Sequence, residues 1–143
     1  DFGALYKGYH ADMTRTVVVG SASDRHKEIY NIVLESQLAG IDIAKNGVKC
    51  SELDKACRTV IEDKGYGKLF MHGTGHGLGL EVHTMPRISW MNHEPLETNN
   101  VITIEPGIYI AGWGGVRIED DCHILDDSCR PMNSSTKELV VVG

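Results

Sequence analysis

The order of segments along this chain is that of an α+β fold, with a largely antiparallel sheet and its helices on one face. Three observations carry that expectation. The chain opens on a pair of strand-like segments. Its middle shows apolar residues at helical spacing, and its second half returns to short apolar runs punctuated by glycine and acidic residues.

Residues 1–19 read as a hairpin: DFGALY and YHADMTRTVVV are rich in strand-type residues, and Lys7-Gly8 supplies the turn. Gly20 and the serines after it end the second arm, and Ser23 or Asp24 can cap a helix. That helix spans 24–45, with Ile29, Ile32, Val33, Ala39 and Ile43 on one side, and Gly47 is its stop signal. A second helix begins at Ser51, with Asp54 three residues on as a capping-box analogue. Leu53, Ala56, Cys57, Val60 and Ile61 form its apolar stripe, and KGYG closes it. Three strands are expected after residue 100: VITIEP from Val101, GIYIAG from Gly107, and GVRIEDDCHIL from Gly115. The tail STKELVVVG adds a terminal strand or a short turn.

Composition narrows the classes. A length of 143 residues, 41% apolar and 24% charged, suits one soluble domain covering 1–143. The net charge of −6 and the lack of a basic stripe argue against nucleic acid as a partner. Apolar runs are far shorter than a membrane span, so no membrane association is expected. Cys50, Cys57, Cys122 and Cys129 include no C-x-x-C pair and read as free thiols. With no secretion signal visible, the expected compartment is cytoplasmic. The chain starts at Asp1 with a strand already under way, which reads as the later part of a longer protein.

Chemistry concentrates in two places. Asp12, Glu105 and Glu119 fall within strand patterns, where an unpaired buried charge is costly. Three of the seven histidines, His72, His76 and His83, crowd into HGTGHGLGLEVHTMP, a run that reads as a glycine-rich loop. Glycines there would admit close approach of backbone to substrate and positive φ. Several carboxylates and an imidazole share one site only if cations neutralise them. Oxygen-rich ligands suit a pair of divalent ions such as Mn²⁺, Co²⁺ or Zn²⁺. His10, His26, His93 and His123 have no such context and read as structural or surface residues.

Four blocks, DFGALYKGYHADMTRT, HGTGHGLGLEVH, TIEPGIYI and GGVRIED, make the chain resemble the pita-bread metallopeptidases, above all the proline-directed members. That group includes methionine aminopeptidase, Xaa-Pro aminopeptidase and prolidase. The resemblance implies a pita-bread fold of two similar αβ halves, of which the first half would be missing here. It implies five metal ligands: Asp1, Asp12, His76, Glu105 and Glu119. It implies two divalent ions, Mn²⁺ foremost, with Co²⁺ or Zn²⁺ as alternatives. Glu105 would also take the proton of the attacking water, and His72 and His83 would bind substrate and steady the oxyanion. Arg117, two residues before Glu119, would orient carboxylates from behind. The implied activity is hydrolysis of the Xaa-Pro bond in short proline-containing peptides, by an aminopeptidase or a dipeptidase. A homodimer, or pairing with the missing half, is expected. A non-hydrolytic peptide-binding relative and a creatinase-like metal-free hydrolase are the alternatives, and both sit poorly with five retained ligands. The resemblance has one local departure: Thr84 follows His83 where relatives carry an acidic residue.

Overall fold

The computed structural model describes residues 1–143. β1 (Phe2–Tyr6) and β2 (Tyr9–Met13) form the expected antiparallel hairpin. Lys7 and Gly8 both take positive φ in its turn, the geometry that matches the twist of the paired strands. The hairpin ends earlier than its sequence suggests. Thr14 leaves it to bridge Glu119, and Arg15 turns its guanidinium onto Asp120 and the carbonyls of Ser135 and Thr136. β3 (Val17–Val19) is thereby released and pairs with Val140–Val142 in a parallel register. The expected second arm is thus two strands serving two sheets, and the tail is a strand.

α1 (Asp24–Ile43) is capped by Ser23, whose hydroxyl accepts from the His26 amide while the His26 ring accepts from Ser23 N–H. Its inner face holds Ile29, Ile32 and Val33 as expected, and also Ser36 and Gln37, both fully buried. Ser36 donates to the Cys57 carbonyl, and Gln37 donates to Asp120 while accepting from Lys137. α2 (Cys50–Asp63) begins a residue before Ser51. The Glu52 carboxylate accepts the Lys49 amide at its start, so Asp54 is not a capping residue. Asp54 is buried instead and serves another purpose, described below.

After a short 3₁₀ turn at Gly67–Leu69 come β4 (Gly75–Gly77), β5 (Thr84–Ile88), β6 (Val101–Ile104), β7 (Gly107–Ile110), β8 (Gly114–Arg117), β9 (Asp120–Ile124), β10 (Cys129–Pro131) and β11 (Val140–Val142). The main sheet is antiparallel in the order β10-β9-β6-β4-β5, and β7 and β8 form a separate hairpin. The long GVRIEDDCHIL strand is therefore broken at Ile118–Glu119, where Glu119 bridges to Thr14. The two helices pack together and against the sheet over a core of 19 buried residues, among them Leu53, Ile61, Ile88, Ile102, Ile104 and Ile118. None of the four cysteines is paired.

The segment Gly75–Gly77 is not a loop. It is an inner strand, with a bulge between His76 and Gly77. None of Gly73, Gly75, Gly77 and Gly79 has positive φ. Their role is close packing: a Cβ at Gly75 would run into the Thr103 carbonyl, and one at Gly77 into the Met85 carbonyl. Only a chain without side chains at 75 and 77 fits here, and this aims the His76 ring out of the sheet.

Candidate metal centre

Each element delivers one group to a common point. β2 brings Asp12, β4 brings His76, the end of β6 brings Glu105, and the β8–β9 break brings Glu119 beside Thr14. Glu105 is tied to the segment before β4 through its amide, which donates to the Thr74 carbonyl at 2.7 Å. Asp12 is fixed through its amide, which donates to Asp121 Oδ2 at 3.1 Å. The Thr14 hydroxyl donates to Glu119 Oε2.

Ligand-type atoms of Asp1, Asp12 and Glu119 lie within 4.8 Å of one another, as do those of His76, Glu105 and Glu119, and those of Asp12, His76 and His83. The three groups share members, so all five carboxylate and imidazole candidates, with His83 beside them, form one cluster. His76 Nδ1 sits 3.1 Å from the Gly77 carbonyl. A carbonyl only accepts, so Nδ1 carries the hydrogen and a neutral ring points the Nε2 lone pair inward. Nε2 is 3.2 Å from Glu105 Oε1 and 3.8 Å from Asp12 Oδ2. Three acceptors facing one another demand a proton or a cation between them.

The titration behaviour reflects that crowding. Burial works against a charged His76, but hydrogen bonding to Glu105 and the Gly77 carbonyl, with the Glu105 and Asp12 charges, outweighs it and raises the ring pKa. Glu119 is pushed up to about 7 by burial and the Glu105 charge, despite the Thr14 hydrogen bond. Asp121 rises to about 6 by burial, and its Oδ1 is buried with no hydrogen-bond partner. This donor set, oxygen-rich with one imidazole whose tautomer is already fixed, fits hard-to-borderline divalent ions.

The surroundings form a cleft of about 600 Å³. His72 lines it, with Nδ1 2.8 Å from the Gly73 carbonyl and Nε2 2.8 Å from the Tyr109 hydroxyl. The carbonyl claims the ring hydrogen, so Tyr109 donates to Nε2. Arg117 Nη1 in turn donates to the Tyr109 oxygen at 3.3 Å. Arg117 also pairs with Asp1, donates to Thr14 Oγ1 at 3.0 Å, and stands 4.0 Å from Glu105 Oε2. It lies at the end of β8, two residues before Glu119, and both side chains meet the Thr14 hydroxyl. The His83 ring is 4.3 Å from that of His76, on the exposed side of the cluster.

Sequence reasoning missed Tyr109, Asp121 and Arg87. Arg87 lies directly across from His76 in the β4–β5 register, lines the cleft and makes no ion pair. Its position depends on a strand pairing across the His76/Gly77 bulge that no local pattern announces. Tyr109 carried a usable signal: it alternates with Gly107 on GIYI, next to the block holding Glu105.

The metallopeptidase family M24 model matches residues 1–126, and the chain belongs to that family. It is 48% identical over 140 residues to the Xaa-Pro dipeptidase of Pyrococcus furiosus, covering 98% of this chain and 40% of that protein. The X-Pro aminopeptidase structure from Thermotoga maritima superposes with a TM-score of 0.97 at 47% identity, over 99% of this chain and 40% of that one. The prolidase structure from Pyrococcus furiosus gives 0.92 at 48% identity, over 94% and 40%. The chain thus spans about 40% of the length of these relatives. The pita-bread expectation holds for the fold of this portion. No helix is long and apolar enough to cross a membrane.

Proposed function

We propose that this chain carries the metal centre of a dinuclear peptidase that hydrolyses Xaa-Pro bonds in short peptides, with Asp1, Asp12, His76, Glu105 and Glu119 as ligands. The observation that supports this reading most is the His76 lone pair aimed into a ring of carboxylates beside an open cleft. Two divalent ions, most simply Mn²⁺, would supply a nucleophile from water at neutral pH and polarise the scissile carbonyl.

The chain's own groups do the rest. Glu105 takes the proton from the attacking water and passes it to the leaving amine, since its carboxylate faces the cleft and lies within reach of His76. His83, exposed at the cleft, donates to the developing oxyanion. His72 is held with Nε2 accepting from Tyr109, so its own contribution is to fix that hydroxyl beside the Arg117 guanidinium. Arg117 holds Asp1 and the Tyr109 oxygen in register with Glu105. Arg87 is a free guanidinium opposite His76, suited to a peptide's terminal carboxylate. That favours dipeptides over longer substrates, and so a dipeptidase over an aminopeptidase.

The test is turnover of an Xaa-Pro dipeptide and of its C-terminal amide by the full-length protein loaded with Mn²⁺. The reading expects chelator-sensitive cleavage, a loss of at least about 100-fold in kcat for Glu105→Gln with the fold kept, and a raised KM for the free dipeptide alone in Arg87→Met. Chelator-insensitive turnover would remove the metal from the reaction. Equal KM effects on acid and amide would remove Arg87 from carboxylate binding.

A further inference from the structure

Phe70–Thr74 lies outside helix and strand, yet it is held at four points by one turn of α2. Arg58 Nη1 donates to the Phe70 carbonyl and Nη2 to the His72 carbonyl, each at 2.9 Å. Asp54 Oδ1 accepts from the Thr74 amide and from the Thr74 hydroxyl, both at 3.0 Å. Arg58 and Asp54 are locked together by a two-pronged pair at 3.0 and 3.1 Å, with Asp54 fully buried. The guanidinium carbon also lies over two rings, 4.2 Å from the Phe70 centroid and 4.8 Å from that of Trp90. Trp90 is half-exposed and lines the same cleft as His72.

One side chain therefore touches both a cleft-lining aromatic and the backbone that carries His72. The Phe70 ring packs edge-on against the His72 ring, which extends the contact. A bare ion pair would not need this shape. Five donors in a flat fork can serve Asp54 and two carbonyls while the guanidinium face meets aromatic rings; an ammonium cannot.

We propose that Arg58, locked by Asp54, is a positioning residue for the cleft: it backs the Trp90 ring as the apolar wall on which the substrate's side chain or proline ring rests, and it fixes the backbone that sets His72 against Tyr109. The substrate part of this inference rests on the peptidase reading above; the positioning part does not.

The experiment uses Arg58→Lys, which keeps the charge beside Asp54 but loses the fork, in a Trp113→Phe background that leaves Trp90 as the only tryptophan of this chain. The expected result is unchanged far-UV circular dichroism, at least a twofold rise in acrylamide quenching of Trp90, and a His72 ring ¹⁵N pattern that shifts from one tautomer towards an averaged one. In the full-length protein KM for an Xaa-Pro dipeptide rises at least tenfold, with a smaller change in kcat. Unchanged quenching and an unchanged His72 pattern overturn the proposal, whatever the activity. If the wild type does not cleave the dipeptide but quenching and tautomer both shift, the peptidase reading falls and the positioning role stands. Trp90→Leu, at a half-exposed site, tests the wall without touching α2: a tenfold rise in KM with the His72 pattern intact supports it, and an unchanged KM overturns it.

Discussion

Glu119 concentrates the electrostatic problem of this site: a nearly buried carboxyl facing Glu105 and Asp12. Its pKa moves from 4.5 up to about 7, so the metal-free folded chain keeps a proton that the unfolded chain releases. A raised folded pKa contributes stability fully below pH 4.5 and loses it as pH climbs through 7. For Glu119 alone this amounts to about 3 kcal/mol. Asp121, raised from 3.8 to about 6, and His76, also raised, act in the same direction. Asp120 opposes them only in acid: burial raises it, but the Lys137, Arg15 and Gln37 hydrogen bonds outweigh that and lower it, so its contribution is lost below its ordinary 3.8. The metal-free chain is therefore expected to have a urea midpoint that falls from pH 5 to pH 7.5, and Mn²⁺ should abolish the fall. A flat or rising metal-free midpoint would mean these carboxyls are not held together as described. At this scale the sequence was informative where a residue breaks a local rule, as carboxylates in strands do. Arg87 breaks none, because an arginine after a proline is unremarkable until a strand pairing sets it opposite His76.

The element that decides the site is β4, and its glycines are what make it a strand. Gly75 and Gly77 lie against the Thr103 and Met85 carbonyls, whereas a Cβ at Gly79 would meet nothing. Gly75→Ala should cost about 1–3 kcal/mol from overpacking, and Gly79→Ala should stay within about 0.5 kcal/mol. Chemical denaturation of the two variants checks the contrast; equal costs would return the segment to a loop whose glycines serve flexibility. Both helices were legible, because apolar periodicity survives even with Ser36 and Gln37 buried among the apolar positions. The splitting of YHADMTRTVVV into β2 and β3, and of GVRIEDDCHIL into β8 and β9, was not. Those breaks at Thr14 and Glu119 are set by one tertiary bridge between residues 105 positions apart. The α2 cap failed for a related reason: Asp54 is a good local capping partner, but the Phe70–Thr74 backbone claims it.

For the molecule as a whole, the β1–β2 hairpin stands out from the core. Phe2, Leu5, Tyr6 and Tyr9 are each more than 60% exposed, and all five residues of β1 are exposed. An apolar strand with an open edge is a template for pairing. The 143-residue chain is accordingly expected to self-associate with rising concentration, and Leu5→Lys with Tyr6→Lys to reduce this; light scattering after size exclusion distinguishes the outcomes, and a monomer across the range would refute it. The α+β order and the antiparallel sheet were readable from the alternation of patterns. The parallel β3–β11 pair was not, since valine runs do not say what they pair with. All of these features converge on one claim, that Asp1, Asp12, His76, Glu105 and Glu119 are gathered to hold two cations. Diffraction from Mn²⁺-soaked crystals, recorded at the manganese edge, tests it most directly. Two anomalous peaks among those five side chains are predicted; no peak there, or peaks bound only elsewhere, would contradict it.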